Sequence, residues 1–489
     1  MQEVSRSFSE IQLRTARVRA RSVAASDDSL VSIRRIAIGM VLIGGGLQGY
    51  ANSTIGALPV ALFFLVSGYL AVGVVFPRKR PELRVFMLTY GICILVGGLA
   101  QCYSLAVFQD PQNFSDAVYF LRQVSPKPPF RQWAEMPTDT SLAIATWQQL
   151  YEVAWLLGLK FGSYIAVMFN ALVIALAGSL TVGTARALFG DDERQLRRVG
   201  LFFAGCGLFI LFGSIMLRDS FVVFFNALWL WAVVRWLVRP TVRSLLLAIA
   251  LTSISIYAML FLRDEIVALF GVYIFLVGLA WYCTKKLTAS RIMVVVFVLA
   301  LIPLAYTYVT GYVQNIRDTQ AFGQQSYANL GAIESTQNSL GMRLVADQPL
   351  PIRMVVTAGT LMINPIPLWG NFNAGASEYH WIEGYHGIYL VMVLPFGIAG
   401  LFGTVSLLRK KGRQAVPLLF LAIYLLVNLA AVTGSSRLGR HLGQFLAALT
   451  IVAALPDPQD KVERRRLRMI SVAWFSGVIL IHVAWAILR

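Results

Sequence analysis

Long apolar runs, punctuated by short clusters of arginine and lysine, set the pattern of this chain. The runs fall at 36–50, 55–76, 85–107, 162–189, 199–217, 221–238, 244–262, 266–283, 292–313, 388–408, 415–432 and 442–455, and a last one ends at Arg489. Runs of about 20 apolar residues are long enough to cross a bilayer as helices. The pattern therefore predicts an all-α, polytopic helical membrane protein with about 13 transmembrane spans. A membrane barrel is excluded, because its strands would alternate over about 10 residues and be far less apolar.

The basic clusters give an orientation, since lysine and arginine in short loops favour the cytosol. Arg78, Lys79, Arg80 and Arg84 form one cluster, and Arg194, Arg197 and Arg198 another. Further clusters are Arg235, Arg239 and Arg243, then Lys285, Lys286 and Arg291, then Arg409, Lys410, Lys411 and Arg413, and finally the segment 461–468. This alternation predicts a cytosolic N-terminus and an external C-terminus. Residues 1–35 read as a cytosolic basic tail, with no apolar signal core and with an interfacial helix over 11–21. Residues 36–489 read as one membrane body with two large external loops, at about 108–160 and 314–352. Within the first loop, the spacing of Trp147, Tyr151 and Trp155 suits a helix at the interface or re-entering from outside. Asn364, Pro365 and Pro367 break the apolar segment 353–369, which reads as a partial insertion. The polar stretch HWIEGYHG, 380–387, reads as an external loop.

Composition agrees with a membrane protein. Hydrophobic residues make up 57% of the 489 and charged residues only 13%, where soluble domains carry about a quarter charged. Mean hydropathy is +0.67. The net charge of +18 would suggest nucleic acid on a soluble protein. Here the basic residues fall in interspan loops, so nucleic-acid binding is not expected. Cys93, Cys102, Cys206 and Cys283 lie in apolar runs without metal or redox spacing, and read as small buried hydrophobes. No Walker loop, nucleophile elbow or zinc pattern is present, and neither a metal nor a cofactor is expected.

The candidate chemistry lies where charge meets hydrocarbon without a polar linker. One such corner is GSIMLRDSFVVFF, with Arg218 and Asp219. The pattern returns as FLRDEIVALF, with Arg263, Asp264 and Glu265. Charges at such positions are functional candidates by default. With the expected topology Arg218, Arg263, Arg317, Arg343, Arg353, Arg437 and Arg440 all face outward. All are arginine, whose fork matches phosphate oxygens better than a lysine ammonium does. Helices starting just after Arg218 and Arg263 would add partial positive charge toward the same anion. Asp219 and Asp264 read as orienting partners, or as structural ion pairs with the adjacent arginines. On the first external loop, NFSDAVYF offers Asp116 as a general base for an acceptor hydroxyl, with Tyr119 beside it. Asp110, Glu135 and Asp139 are alternatives, and Ser115 and Asp116 could equally cap a short helix. In SEYHWIEGYHG, Trp381, Tyr385 and His386, with Tyr379, are candidate sugar contacts, as is Tyr119 of the first loop.

The order of these segments carries a resemblance. NFSDAVYF comes first, then SIMLRDSFVVFFNALWLWAVVRWL and FLRDEIVALF. INPIPLW, GYHGIYLVMVLPFGIAGLFG and SSRLGRHLGQFLAAL follow. Over roughly 104–455 the chain resembles Wzy-type and EpsG-like polysaccharide polymerases and the related GT-C membrane glycosyltransferases. The resemblance implies transfer of a glycan from an undecaprenyl-diphosphate-linked oligosaccharide to an acceptor sugar, at the outer face of the bacterial inner membrane, during O-antigen or exopolysaccharide assembly. It implies Asp116 as the acceptor-side acid or base, and Arg218, Arg263, Arg437 and Arg440 as diphosphate ligands; Arg353, from the outward arginine set, is a further candidate ligand. A chain-length regulator or flippase of the same pathway is the implied partner. GT-C enzymes usually show two close acidic residues in the first external loop; here Asp110 and Asp116 stand six apart. The alternative is a transporter or flippase of lipid-linked oligosaccharide.

Overall fold

The computed structural model describes residues 31–77, 80–124, 141–283, 358–359, 361–363, 367–373, 375–411, 415–435, 439–457 and 459–488. Among them regular structure is helical, with no strand. The helices are α1 (Val31–Ala51), α2 (Ala57–Val75), α3 (Arg80–Phe108), α4 (Ser115–Gln123), α5 (Ser141–Leu156), α6 (Tyr164–Phe189), α7 (Glu193–Ala204) and α8 (Gly207–Ser214). They continue with α9 (Asp219–Val238), α10 (Val242–Leu260), α11 (Asp264–Cys283), α12 (Glu378–Lys411), α13 (Val416–Ser435), α14 (Gly443–Ala453) and α15 (Lys461–Leu488). Eight described helices are long and apolar enough to cross a membrane, or nine if α7 and α8 form one broken span. The chain is a multi-pass helical membrane protein.

The chain divides into two compact units. In the first, which holds α1 to α8, the start of α9 and residues 374–382, α6 packs against α2, α3, α7 and α8. Its core position is written in the sequence as small and β-branched residues on every face, so that no side faces lipid. Helices α1 and α3 approach backbone to backbone. A Cβ added at Gly44 would meet the Ile94 carbonyl oxygen at 2.4 Å, and one at Gly98 would meet the Gly44 carbonyl oxygen at 2.6 Å. Close contact between small residues replaces the hydrophobic drive that water would supply. A buried ion pair ties α3 to α6: Arg186 donates from Nε and Nη2 to the two oxygens of Glu82, each at 2.7 Å. Arg186 also pairs with Asp191, and Asp192 caps α7 by accepting from the Arg194 and Gln195 amides.

In the second unit, α12 carries Pro395 in its interior. A proline there leaves the carbonyl four residues earlier without its helix donor. That carbonyl belongs to Val391, and the Trp474 indole of α15 donates to it at 3.0 Å. Val391 and Val478 join Ile363 in a small core. Trp229, Phe270, Tyr273, Phe420 and Tyr424 form an aromatic cluster among α9, α11 and α13.

Several sequence expectations are corrected. The span expected at 199–217 is two helices bent by 54°. Gly205 ends α7, Cys206 is extended, and Phe203 and Phe209 stack across the break at 4.2 Å. HWIEGYHG is not a loop but the opening turns of α12. There Gly384, which read as a loop residue, leaves room for the Phe372 ring, which an added Cβ would meet at 3.0 Å. Helix α1 includes 31–35, the last residues of the expected basic tail; the rest of that tail lies outside the described residues. Helix α5 buries Trp147 and Tyr151 in protein, and only Trp155 of the three aromatics is exposed. Burial raises the Tyr151 hydroxyl pKa, so it stays neutral and donates to the Gly162 carbonyl at 2.8 Å. The 11–21 helix, the 292–313 span and the 314–352 loop lie outside the described residues, as do most of 353–369.

Candidate functional site

The site is built where the bent α7–α8 pair turns into α9. Helix α8 stops at Ser214, whose hydroxyl donates to the Cys93 carbonyl at 3.1 Å. Ile215 then takes an extended conformation. Residues 215–217 are buried, so their backbone groups need partners inside the protein. Asn170 of α6 provides them. Its Nδ2 donates to the Ile215 carbonyl at 3.2 Å and to the Leu217 carbonyl at 3.1 Å. Its Oδ1 accepts from the Trp147 indole at 3.1 Å. The Ser220 hydroxyl also donates to the Leu217 carbonyl. Held this way, the chain presents Arg218, half-buried, directly before α9, and Asp219, buried, as its first residue. A carboxylate in the first turn is favoured by the helix dipole.

Trp147 connects this corner to α4. Its ring packs on Phe221, the third residue of α9, at 5.7 Å and on Phe120 of α4 at 5.4 Å. Helix α4 carries Asp116 in its first turn, half-buried, and Tyr119 on its exposed side. Neither Ser115 nor Asp116 is the capping residue. Phe114 occupies the cap position and no side chain of its own caps the helix. The cap comes from far along the chain: Oε1 of Glu378 accepts from the Asn113 amide at 3.1 Å and from the Phe114 amide at 3.2 Å. The Phe114 ring stacks on Tyr379 at 4.2 Å. The first turn of α12 thereby closes over the entry to α4. Asp110, an alternative carboxylate, accepts from the Gln112 amide in a local turn and is exposed.

Asp116, Tyr119, Arg218, Asp219 and Trp381 all belong to the first unit. The other expected residues stand elsewhere. Arg263, buried, precedes α11, and Asp264 opens that helix. Arg440 lies in a 3₁₀ turn, Gly439–Leu442. These belong to the second unit, as do Tyr385, exposed, and His386, buried with its ring stacked on Tyr389 at 6.0 Å. Arg353, Arg437, Glu135 and Asp139 lie outside the described residues, as do Arg317 and Arg343. No cluster of metal-ligating side chains occurs among the described residues.

Two organising residues were missed in the sequence. Asn170 is an isolated polar residue in the apolar run 162–189, and Glu378 is one acid in the polar stretch 377–387. An asparagine in an otherwise apolar run is a signal that could have found the first, because it must be bonded or functional there. Nothing local marks the second. No family model, no curated protein and no solved structure matches this chain.

Proposed function

We propose that this chain is a membrane glycosyltransferase, a polysaccharide polymerase that moves a glycan from an undecaprenyl-diphosphate-linked donor to an acceptor sugar. In this reading it crosses the bacterial inner membrane about 13 times with its N-terminus in the cytosol. The two Arg-Asp corners then face outward. The observation that carries the reading is the Arg218–Asp219 corner, fixed by Asn170 and coupled through Trp147 to the helix bearing Asp116. An anion ligand and a proton acceptor on one rigid frame is what a phosphate-leaving-group transfer requires.

Arg218 meets the donor diphosphate, and Asp219 holds it in orientation. As the bond from the anomeric carbon to phosphate oxygen breaks, its electron pair leaves with undecaprenyl diphosphate. Preplaced guanidinium groups stabilise that growing charge, usually the largest catalytic term. Asp116 takes the proton of the acceptor hydroxyl as the new glycosidic bond forms, with inversion at the anomeric carbon. A chain-length regulator or flippase of the same pathway is the expected partner.

The test has two parts. Purified protein in lipid, given a lipid-linked oligosaccharide, should elongate it, and Arg218→Ala should lower kcat by about 10²–10³ without loss of folded protein. In cells lacking the protein, a single finished repeat unit should accumulate on the outer face. Accumulation on the inner face would favour the flippase, and normal polymer from Arg218→Ala would sink the assignment.

A further inference from the structure

Glu378 has an oxygen that α4 does not use. Oε1 is occupied by the Asn113 and Phe114 amides. Oε2 is buried and has no hydrogen-bond partner among the described residues, and the residue as a whole is 3% exposed. A buried carboxylate oxygen left open is costly and calls for a ligand or a role. Three residues on, on the same face of α12, stands Trp381, 39% exposed. Its indole rests against the Tyr103 ring at 5.7 Å, and the Tyr103 hydroxyl is anchored to the Ala376 carbonyl at 2.8 Å. Two aromatic pairs are built on the same turn: Phe114 on Tyr379, and Tyr103 with Trp381.

We infer that Glu378 and Trp381 form a pyranose-binding subsite, in which Oε2 accepts a hydrogen bond from a sugar hydroxyl and the indole face stacks on the C–H face of the ring. Oε2 is buried, so a hydroxyl reaches it only when a neighbouring side chain turns aside. In the glycosyltransferase reading, on which its place in catalysis rests, this is the acceptor subsite. The carboxylate that binds the acceptor is then the one that caps the helix of Asp116, so acceptor binding and base position share one side chain.

The test is binding of free sugars, by saturation-transfer NMR, to the full-length protein in lipid nanodiscs. The probes are methyl glycosides of glucose, galactose, mannose, rhamnose and N-acetylglucosamine. Glu378→Gln keeps an oxygen for the two amides and replaces Oε2 with a donor. It should bind about tenfold or more weakly, as expected for loss of a buried hydrogen bond, at an unchanged melting temperature. Trp381→Ala should lose the transfer signal on the ring protons. Equal binding by wild type and both variants, or no binding by wild type, overturns the subsite. Turnover separates the two proposals. Sugar binding that follows these variants without any transfer from a lipid-linked donor keeps the subsite and removes the glycosyltransferase. Transfer with an unchanged acceptor KM in both variants does the reverse.

Discussion

Asn170→Leu tests whether one side chain holds the Arg218 corner. The substitution keeps the branching and heavy-atom count of the side chain and removes all three hydrogen bonds. The Leu217 carbonyl keeps the Ser220 hydroxyl. The Trp147 N–H and the Ile215 carbonyl lose the partners at 3.1 and 3.2 Å. Each buried group left unsatisfied costs about 1–3 kcal/mol. Burying an apolar side chain in place of an amide offsets part of this, so a net loss of about 2–4 kcal/mol is expected. Reversible unfolding by SDS titration in bicelles measures it. Hydrogen exchange read by mass spectrometry supplies the local signature, with faster exchange concentrated in the segment 213–222. Trp147→Phe closes the cycle. It should be costly in the wild type, where it strands the asparagine oxygen, and milder beside Asn170→Leu by about 1–2 kcal/mol. A change below about 0.5 kcal/mol, with exchange at 213–222 unaltered, would refute the reasoning.

Three further outcomes follow from the packing. Glu82→Ala leaves the Arg186 guanidinium largely buried with only Asp191, and should cost about 3–5 kcal/mol in the same unfolding assay. Trp474→Phe should cost about 1–3 kcal/mol by stranding the Val391 carbonyl. In a Pro395→Ala background, where the restored amide serves that carbonyl, the cost should nearly vanish, and equal costs in both backgrounds would contradict the assignment. Gly213→Ala places a Cβ 2.5 Å from the Cys93 sulfur and 3.0 Å from its Cβ. It should lower the melting temperature, and Cys93→Ala should restore part of the loss.

The helices of this protein were legible where charge punctuates hydrocarbon. Expected spans at 221–238, 244–262 and 266–283 correspond to α9, α10 and α11, each starting two residues early because the polar punctuation itself joins the first turn. Legibility failed where the apolar pattern is continuous. Nothing in hydropathy separates α7 from α8, since Gly205 and Cys206 are as acceptable in a span as at a break. It failed again where polar residues are helical, as at 378–387, because polarity was read as exposure while Glu378 and His386 are buried. The Arg218–Asp219 corner was visible as charge out of place. What fixes it was not, since Asn170 acts across 45 to 47 residues and Glu378 across 264 to 265.

That last separation has a consequence in time. A ribosome adding about 5–20 residues per second makes Asn113 and Phe114 roughly 13–50 seconds before it makes Glu378. Throughout that interval α4 has neither its cap nor the Tyr379 ring beneath Phe114. The helix bearing Asp116 is among the first parts of the chain to be synthesised and among the last to be finished. A chain that stops anywhere before Glu378 carries the candidate base without the means to hold it.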